Sequence, residues 1–248
     1  MKTNFAIIHV PHAATAIPKE YLSSYDSTKL SKEFSLMTDH YCDELFHIGF
    51  PMIKAKVSRL FCDMERFRDD HIESMAVKGM GAIYTHCSDG SRLRIVLPDE
   101  KEKILKKYYD AHHKRLAKKV DELLEQTNQC LIIDGHSFHP TPLPHEPNQE
   151  YLRPDFCIGS DPFHTPTEIV TICKNFLTDA GFTVKENNPF AGTIVPLKHY
   201  QKDPRVISVM IEVNRNQYMN ESGEKTEHFT KVKATLTELC KKIANYKR

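Results

Sequence analysis

Apolar residues recur along the chain in two rhythms. Uninterrupted runs, "FAIIHV" at 5–10, "CLIIDGHSF" at 130–138, "DFCIGSD" at 155–161 and "VISVMIEVNRNQYM" at 206–219, have the length and β-branched content of buried strands. "FTVKENN" at 182–188 reads as a further strand. Elsewhere the apolar positions fall three or four residues apart. Leu30, Phe34, Met37, Tyr41, Leu45 and Ile48 form one helical stripe, with Ser27 as its N-cap. Ile104, Tyr108, Leu116, Val120 and Leu123 form another, opened by Pro98 at the first turn. Two more helices are predicted over 165–181, closed by Gly181, and over 223–246. "FPMIKAKVSRLFCDMERF" at 50–67 predicts one or two strands, followed by an irregular polar stretch to about Ser91. Four prolines between His139 and Pro147 exclude regular structure there and predict a shaped loop or lid.

Strands alternating with helices predict an α/β fold: a mixed, mostly parallel sheet covered by helices on both faces. With 248 residues, 40% of them hydrophobic, the expectation is one domain spanning 1–248. Charge is balanced, 34 Lys+Arg against 33 Asp+Glu, so no global field gathers nucleic acid or an anionic membrane. The lysines of the second helix alternate with Glu100, Glu102, Asp110, Asp121 and Glu122, as on a solvated face. No run approaches the roughly 20 apolar residues of a membrane span, and the first apolar stretch is too short for a secretion leader. Seven cysteines without C-x-x-C spacing fit buried thiols in a reducing compartment, so a cytoplasmic location is expected.

Candidate chemistry gathers where apolar strands end. In an open α/β sheet the crevice beyond the carboxyl ends of the strands is where ligands sit. "FAIIHVPH" delivers His12 there, "CLIIDGHS" delivers Asp134 and His136, and "VISVMIEVNR" delivers Glu212 and Arg215. Imidazole and carboxylate donors from separate segments match the ligand set of Zn2+ or a similar divalent cation with an open position for water, and a free Glu212 on a rigid strand suits a general base. The bland alternatives are a His136–Asp134 pair buried for structure, a surface His12, and a Glu212 ion-paired to Arg215 or Arg59. Asp39 and Asp43, one helical turn apart, line either solvent or a polar cleft. "SRLFCDMERF" places Arg59, Asp63 and Arg66 together, as a clamp for a substrate carboxylate or as a structural Arg59–Asp63 pair.

Eight segments in order, "HVPHAATAIP", "TDHYCDELF", "SRLFCDMERF", "YYDAHHKRL", "IIDGHSF", "DFCIGSD", "NNPFAGTIV" and "IEVNRNQYM", resemble the N-formylglutamate amidohydrolase family, whose fold is similar to that of zinc exopeptidases and aspartoacylase. The resemblance implies metal-dependent hydrolysis of an N-formyl or N-acyl amide bond of a small acidic amino acid. It also implies a ligand set of His12, Asp39 and His136 for a divalent metal, Zn2+ first, with Glu212 as base. Arg59 and Arg66 would hold the substrate carboxylate, and Asn188 and Arg215 would be pocket residues. Two departures stand out: Ala13 and Ala14 replace the Ser-Gly that follows the family's first histidine, and Glu65 replaces the Asn of its D-x-N-R pattern. An anion beside Arg66 is expected to weaken or redirect that grip. The departures motivate an alternative, a non-catalytic protein that binds an acidic metabolite on the same fold. A metallophosphoesterase reading, prompted by D-x-H, lacks the Gly-Asn-His-type partner motif.

Overall fold

The computed structural model describes residues 5–246. Six strands, β1 (Ala6–Val10), β2 (Met52–Lys54), β3 (Cys130–Phe138), β4 (Phe156–Gly159), β5 (Val184–Glu186) and β6 (Val206–Asn214), form one sheet in the order β2-β1-β3-β6-β4-β5. All neighbouring pairs are parallel except β4 and β6, which run antiparallel. The helices are α1 (Ser27–Met37), α2 (Cys42–Leu45), α3 (Pro98–Ile104), α4 (Asp110–Thr127), α5 (Thr167–Asp179) and α6 (Phe229–Ile243). Among the described residues no helix is long and apolar enough to cross a membrane. All seven cysteines are buried and unpaired with one another.

Alternation along the central strands sorts residues between two cores. Ala6, Ile8, Leu131, Ile133, Ile207, Val209 and Ile211 meet α2, α5 and α6. Ile7, Cys130, Ile132 and Val206 meet Leu116, Val120 and Leu123 of α4 on the other side. Further along the strands, the α4-facing positions become His9, Asp134, His136 and Glu212, while the opposite face of β6 stays apolar through Val213. This change of chemistry on one face alone builds a polar cleft at the carboxyl ends of the strands without opening the second core.

Several predicted elements differ in detail. The first helical stripe breaks after Met37: Asp26, not Ser27, caps α1 by accepting from the Thr28 and Lys29 amides, and Tyr41 takes a left-handed φ of 63° before α2. The cause is tertiary. The Asp39 amide donates to the His12 carbonyl at 3.0 Å, pulling the chain off its helical course into the cleft. In 50–67 only β2 is extended, and the rest folds as turns around Asp63. The second predicted helix widens to a π segment over Leu105–Tyr109 between α3 and α4, a distortion that often marks functional sites; here it accompanies a Tyr109 hydroxyl donating to the Arg66 carbonyl at 2.8 Å. Gly135 is required by close approach: a Cβ there would lie 2.7 Å from the Phe46 ring, so glycine lets the α2 segment press against β3 beside the site.

Candidate metal centre and active site

His12 lies just past β1 and His136 near the end of β3, both almost fully buried, with ring centroids 5.0 Å apart and edge-to-face. Each edge of this pair meets a carboxylate. Asp39 Oδ2 lies 3.2 Å from His136 Nδ1 and 3.8 Å from His12 Nδ1. On the other edge, Glu65 Oε2 lies 3.1 Å from His136 Nε2 and 3.8 Å from His12 Nε2. Ligand-type atoms of His12, Glu65 and His136 fall within 4.8 Å of one another, as do those of His9, Glu65 and Asp134.

Asp63 decides which edge of His12 is free. Its Oδ1 accepts from His12 Nε2 at 2.8 Å and from the Glu65 amide at 2.9 Å. Its Oδ2 accepts from Arg59 Nε and Nη2 at 3.2 and 3.0 Å and from the Tyr84 hydroxyl at 2.9 Å. His12, Arg59 and Arg66 hold this buried acid well below the usual carboxylate range despite its desolvation. A fully ionised acceptor on Nε2 fixes that proton and leaves the His12 Nδ1 lone pair facing Asp39; Nδ1 is buried and makes no hydrogen bond. His136 is pressed from both edges: desolvation opposes its charge, but Glu65, Asp134 and Asp39 together raise its pKa well above the ordinary imidazole value. A proton there meets the negative charge that a cation would otherwise meet: His12 Nδ1 and His136 Nδ1 both face Asp39 Oδ2, and on the other edge Glu65 is the carboxylate that completes a His12–Glu65–His136 group able to hold a metal ion.

Asp39 is itself held in place. Its Oδ2 accepts from the Ser137 amide at 3.2 Å, and its Oδ1 lies 3.4 Å from Arg215 Nη2. Arg215 also donates to the Leu36 carbonyl at 2.6 Å and to Ser137 Oγ at 3.4 Å, which ties the end of α1 to β3. It lines the cavity wall, as expected of a pocket residue, while these donors turn inward. Glu212 pairs in register with His136 across β3 and β6 and is buried, with Oε2 unpartnered. Burial pushes its carboxyl up to about 8, with the Asp39 and Glu65 anions adding to the effect.

These groups line a cavity of about 410 Å³, walled also by Arg59, Arg66, Tyr109, Phe138, His145 and Phe190. Arg66 Nε is buried without a hydrogen bond, 3.9 Å from Asp63 Oδ2, whereas Arg59 donates two hydrogen bonds to that oxygen. The anticipated conflict between Glu65 and Arg66 does not arise, because the close charged contacts of Glu65 are with His9, His12 and His136. Asn188 sits differently. It is absent from the cavity wall, and its amide binds Asn148 and Glu150 on the proline-rich loop instead. That loop does reach the cavity, through Leu143, His145 and Glu146. The structural Arg59–Asp63 pair that the sequence offered is formed, but the place of Asp63 beside His12 rests on tertiary packing and had no sequence signal.

The family model for N-formylglutamate amidohydrolase matches residues 5–219. Among solved structures, the chain is similar to an N-formylglutamate amidohydrolase from Ralstonia eutropha JMP134, with a TM-score of 0.83 at 20% identity, covering 99% of this chain and 95% of that one. A gene product of Agrobacterium tumefaciens follows, with a TM-score of 0.68 at 16% identity and coverage of 97% and 92%. At these identities the likeness shows the fold. Comparison with curated proteins gives no match. From the family match over most of its length, the chain belongs to the N-formylglutamate amidohydrolase family.

Proposed function

We propose that this protein is a metal-dependent amidohydrolase that cleaves the N-formyl or a related N-acyl amide bond of an acidic amino acid, with Zn2+ as the metal. The observation that carries this reading is the pair of buried imidazoles whose Nδ1 atoms face one Asp39 oxygen, while Asp63 occupies the far nitrogen of His12. His12, Asp39 and His136 would hold the metal. A divalent cation there would supply Lewis acidity toward a water and the acyl carbonyl.

The chain's own residues provide the remaining steps. Glu212, on a rigid strand with a free Oε2, takes the proton of the attacking water and returns it to the departing amide nitrogen. Burial favours the proton-carrying form of this acid, which suits its second task. Arg66, whose side chain lines the cavity while its Nε stays 3.9 Å from Asp63 without a hydrogen bond, receives a substrate carboxylate, and Arg59 supports it from behind through Asp63. Phe138, Phe190 and Leu143 shield the acyl end from bulk water.

The test is formate release from N-formyl-L-glutamate beside a panel of N-acyl aspartates and glutamates, with metal analysis of the gently purified protein. Turnover that falls on chelation, returns with Zn2+ and is lost in His136→Ala supports the reading. A metal-free protein with undiminished turnover overturns it. Ligand-induced thermal stabilisation without any hydrolysis would point to the binding-module alternative.

A further inference from the structure

Residues 139–155 run from the end of β3 to β4 without a helix or strand, and the prolines among them offer no amide to a ladder. One guanidinium gathers this stretch. Arg153 pairs with Glu146, and the two side chains are 2% and 6% exposed. Arg153 Nη1 donates to the His139 carbonyl at 3.1 Å, and Nη2 donates to Glu146 and, at 3.4 Å, to the Asn148 carbonyl. Its Cζ lies 5.8 Å from the Phe138 ring centroid and 5.7 Å from that of Phe190, and the two rings meet edge-to-face at 5.9 Å. Arg153 therefore touches three stretches that arrive separately: the end of β3, the turn at 146–148, and the segment after β5 that carries Phe190. Phe138, Phe190 and Glu146 line the cavity, and Arg153 stands behind them.

A buried Arg–Glu pair adds little stability over apolar residues of the same volume, because both charges give up their water. What it supplies is geometry. The donors of a guanidinium point in fixed directions, so acceptors at 139, 146 and 148 meet them together in one arrangement of the loop. The wall fixed in this way adjoins the reacting groups. Phe138 lies two residues beyond His136 on β3, so both side chains leave the same face of the sheet. Arg66 lies on the opposite, His12 side, 3.9 Å from the Asp63 carboxylate that binds His12. A substrate carboxylate at Arg66 leaves the acyl group, across the scissile bond, facing Phe138 and Phe190.

We propose that Arg153 is a positioning residue for acyl selectivity: it holds Phe138, Phe190 and the turn at Glu146 as one wall against which acyl groups are sorted by size. The proposal rests on the amidohydrolase reading above and on its placement of the substrate carboxylate at Arg66.

Amide hydrogen exchange reads the holding without any substrate. In Arg153→Met, residues 139–150 are expected to exchange at least about tenfold faster than in the parent, with β3 and β6 unchanged. The double variant Arg153→Met/Glu146→Gln leaves no buried charge unpaired and should behave alike, which covers a single variant that fails to fold. Arg153→Lys keeps the pair with Glu146 and should recover most of the protection. Unchanged exchange in the breaking variants overturns the proposal.

Selectivity is read as the ratio of kcat/KM for N-formyl-L-glutamate to that for N-acetyl-L-glutamate. The breaking variants should move this ratio at least about fivefold toward unity, within the roughly 10- to 200-fold that one methylene can carry, and Arg153→Lys should move it less. Loss of folded protein lowers both substrates alike and leaves the ratio in place. A parent indifferent to acyl size, or a ratio unmoved in the breaking variants, overturns the acyl role while the amidohydrolase reading stands. A parent that hydrolyses neither substrate overturns that reading and the acyl role with it, and faster exchange in the variants would then still assign the holding of the wall to Arg153.

Discussion

His136 and Glu212 are direct partners in the β3–β6 ladder, so their side chains leave the sheet side by side on the face that meets α4. The proposed ligand and base, fixed to adjacent rigid strands, keep their spacing without help from a loop. Glu212→Gln is therefore expected to lower kcat about a hundredfold to ten-thousandfold while Zn2+ affinity stays close to that of the parent. Steady-state formate release and a metal titration on the same preparation check this.

The two carboxylates flanking the imidazoles make different predictions. Asp39→Asn should weaken Zn2+ by at least roughly tenfold, because it removes the anion facing both Nδ1 atoms. Glu65→Gln should leave affinity within about threefold, since His12 Nε2 on that edge already serves Asp63. The reverse ranking in a competition assay would move the cation to the Glu65 edge.

Arg66 should discriminate substrates by charge. Replacing it with Met is expected to reduce kcat/KM for N-acyl glutamates about 10- to 100-fold, the loss of a charge-assisted hydrogen bond, and to leave N-acyl derivatives without a side-chain or α-carboxylate contact nearly unaffected. A uniform loss over both groups would assign Arg66 to structure.

Stability should carry a histidine signature in acid. Burial holds His113 down to about 4, and burial with nearby Arg59, Arg66 and Lys78 does the same for His145. Both are neutral when folded and take up protons on unfolding below about 6.5, so their contribution is present above that pH and lost as pH falls toward 4. Glu212, raised when folded, opposes this slope. His113→Gln should thus flatten the urea midpoint against pH between 6.5 and 4.5, by at most about 1.4 kcal/mol per pH unit.

Gly135→Ala tests the contact that seats α2. The added methyl would meet the Phe46 ring at 2.7 Å, and overpacking of this kind costs about 1–3 kcal/mol. A melting temperature lower by about 2–4 °C per kcal/mol is expected. Phe46→Leu in the same chain should return part of it.

Long-range geometry marks the limit of what the sequence discloses. β3 and β6 were legible because nine consecutive buried residues leave no other reading, and His12, His136 and Glu212 stood out as polar groups at the ends of such runs. The break at Thr38 was not, because the apolar stripe continues at helical spacing through a point where a single bond from Asp39 to the His12 carbonyl overrides it. Nor could the sequence say where a guanidinium points: Arg66 lines the cavity without a hydrogen bond at Nε, whereas Arg215, at the end of β6, turns its donors back on α1. The alanines after His12 are compatible with its burial, since the hydrogen bond that orients the ring comes from Asp63 rather than from the loop.

The reversed direction of β4 has an architectural consequence. Since Phe156 pairs with Val213, the fourth strand starts at the same edge where the third one stops. The connection between them, the 17 residues 139–155, has no return journey to make along a helix, and His139, Leu143, His145 and Glu146 within it line the cleft. Length and side chains in this stretch can therefore change the lining of the cleft while every strand keeps its register, which separates the choice of guest from the groups proposed to act on it.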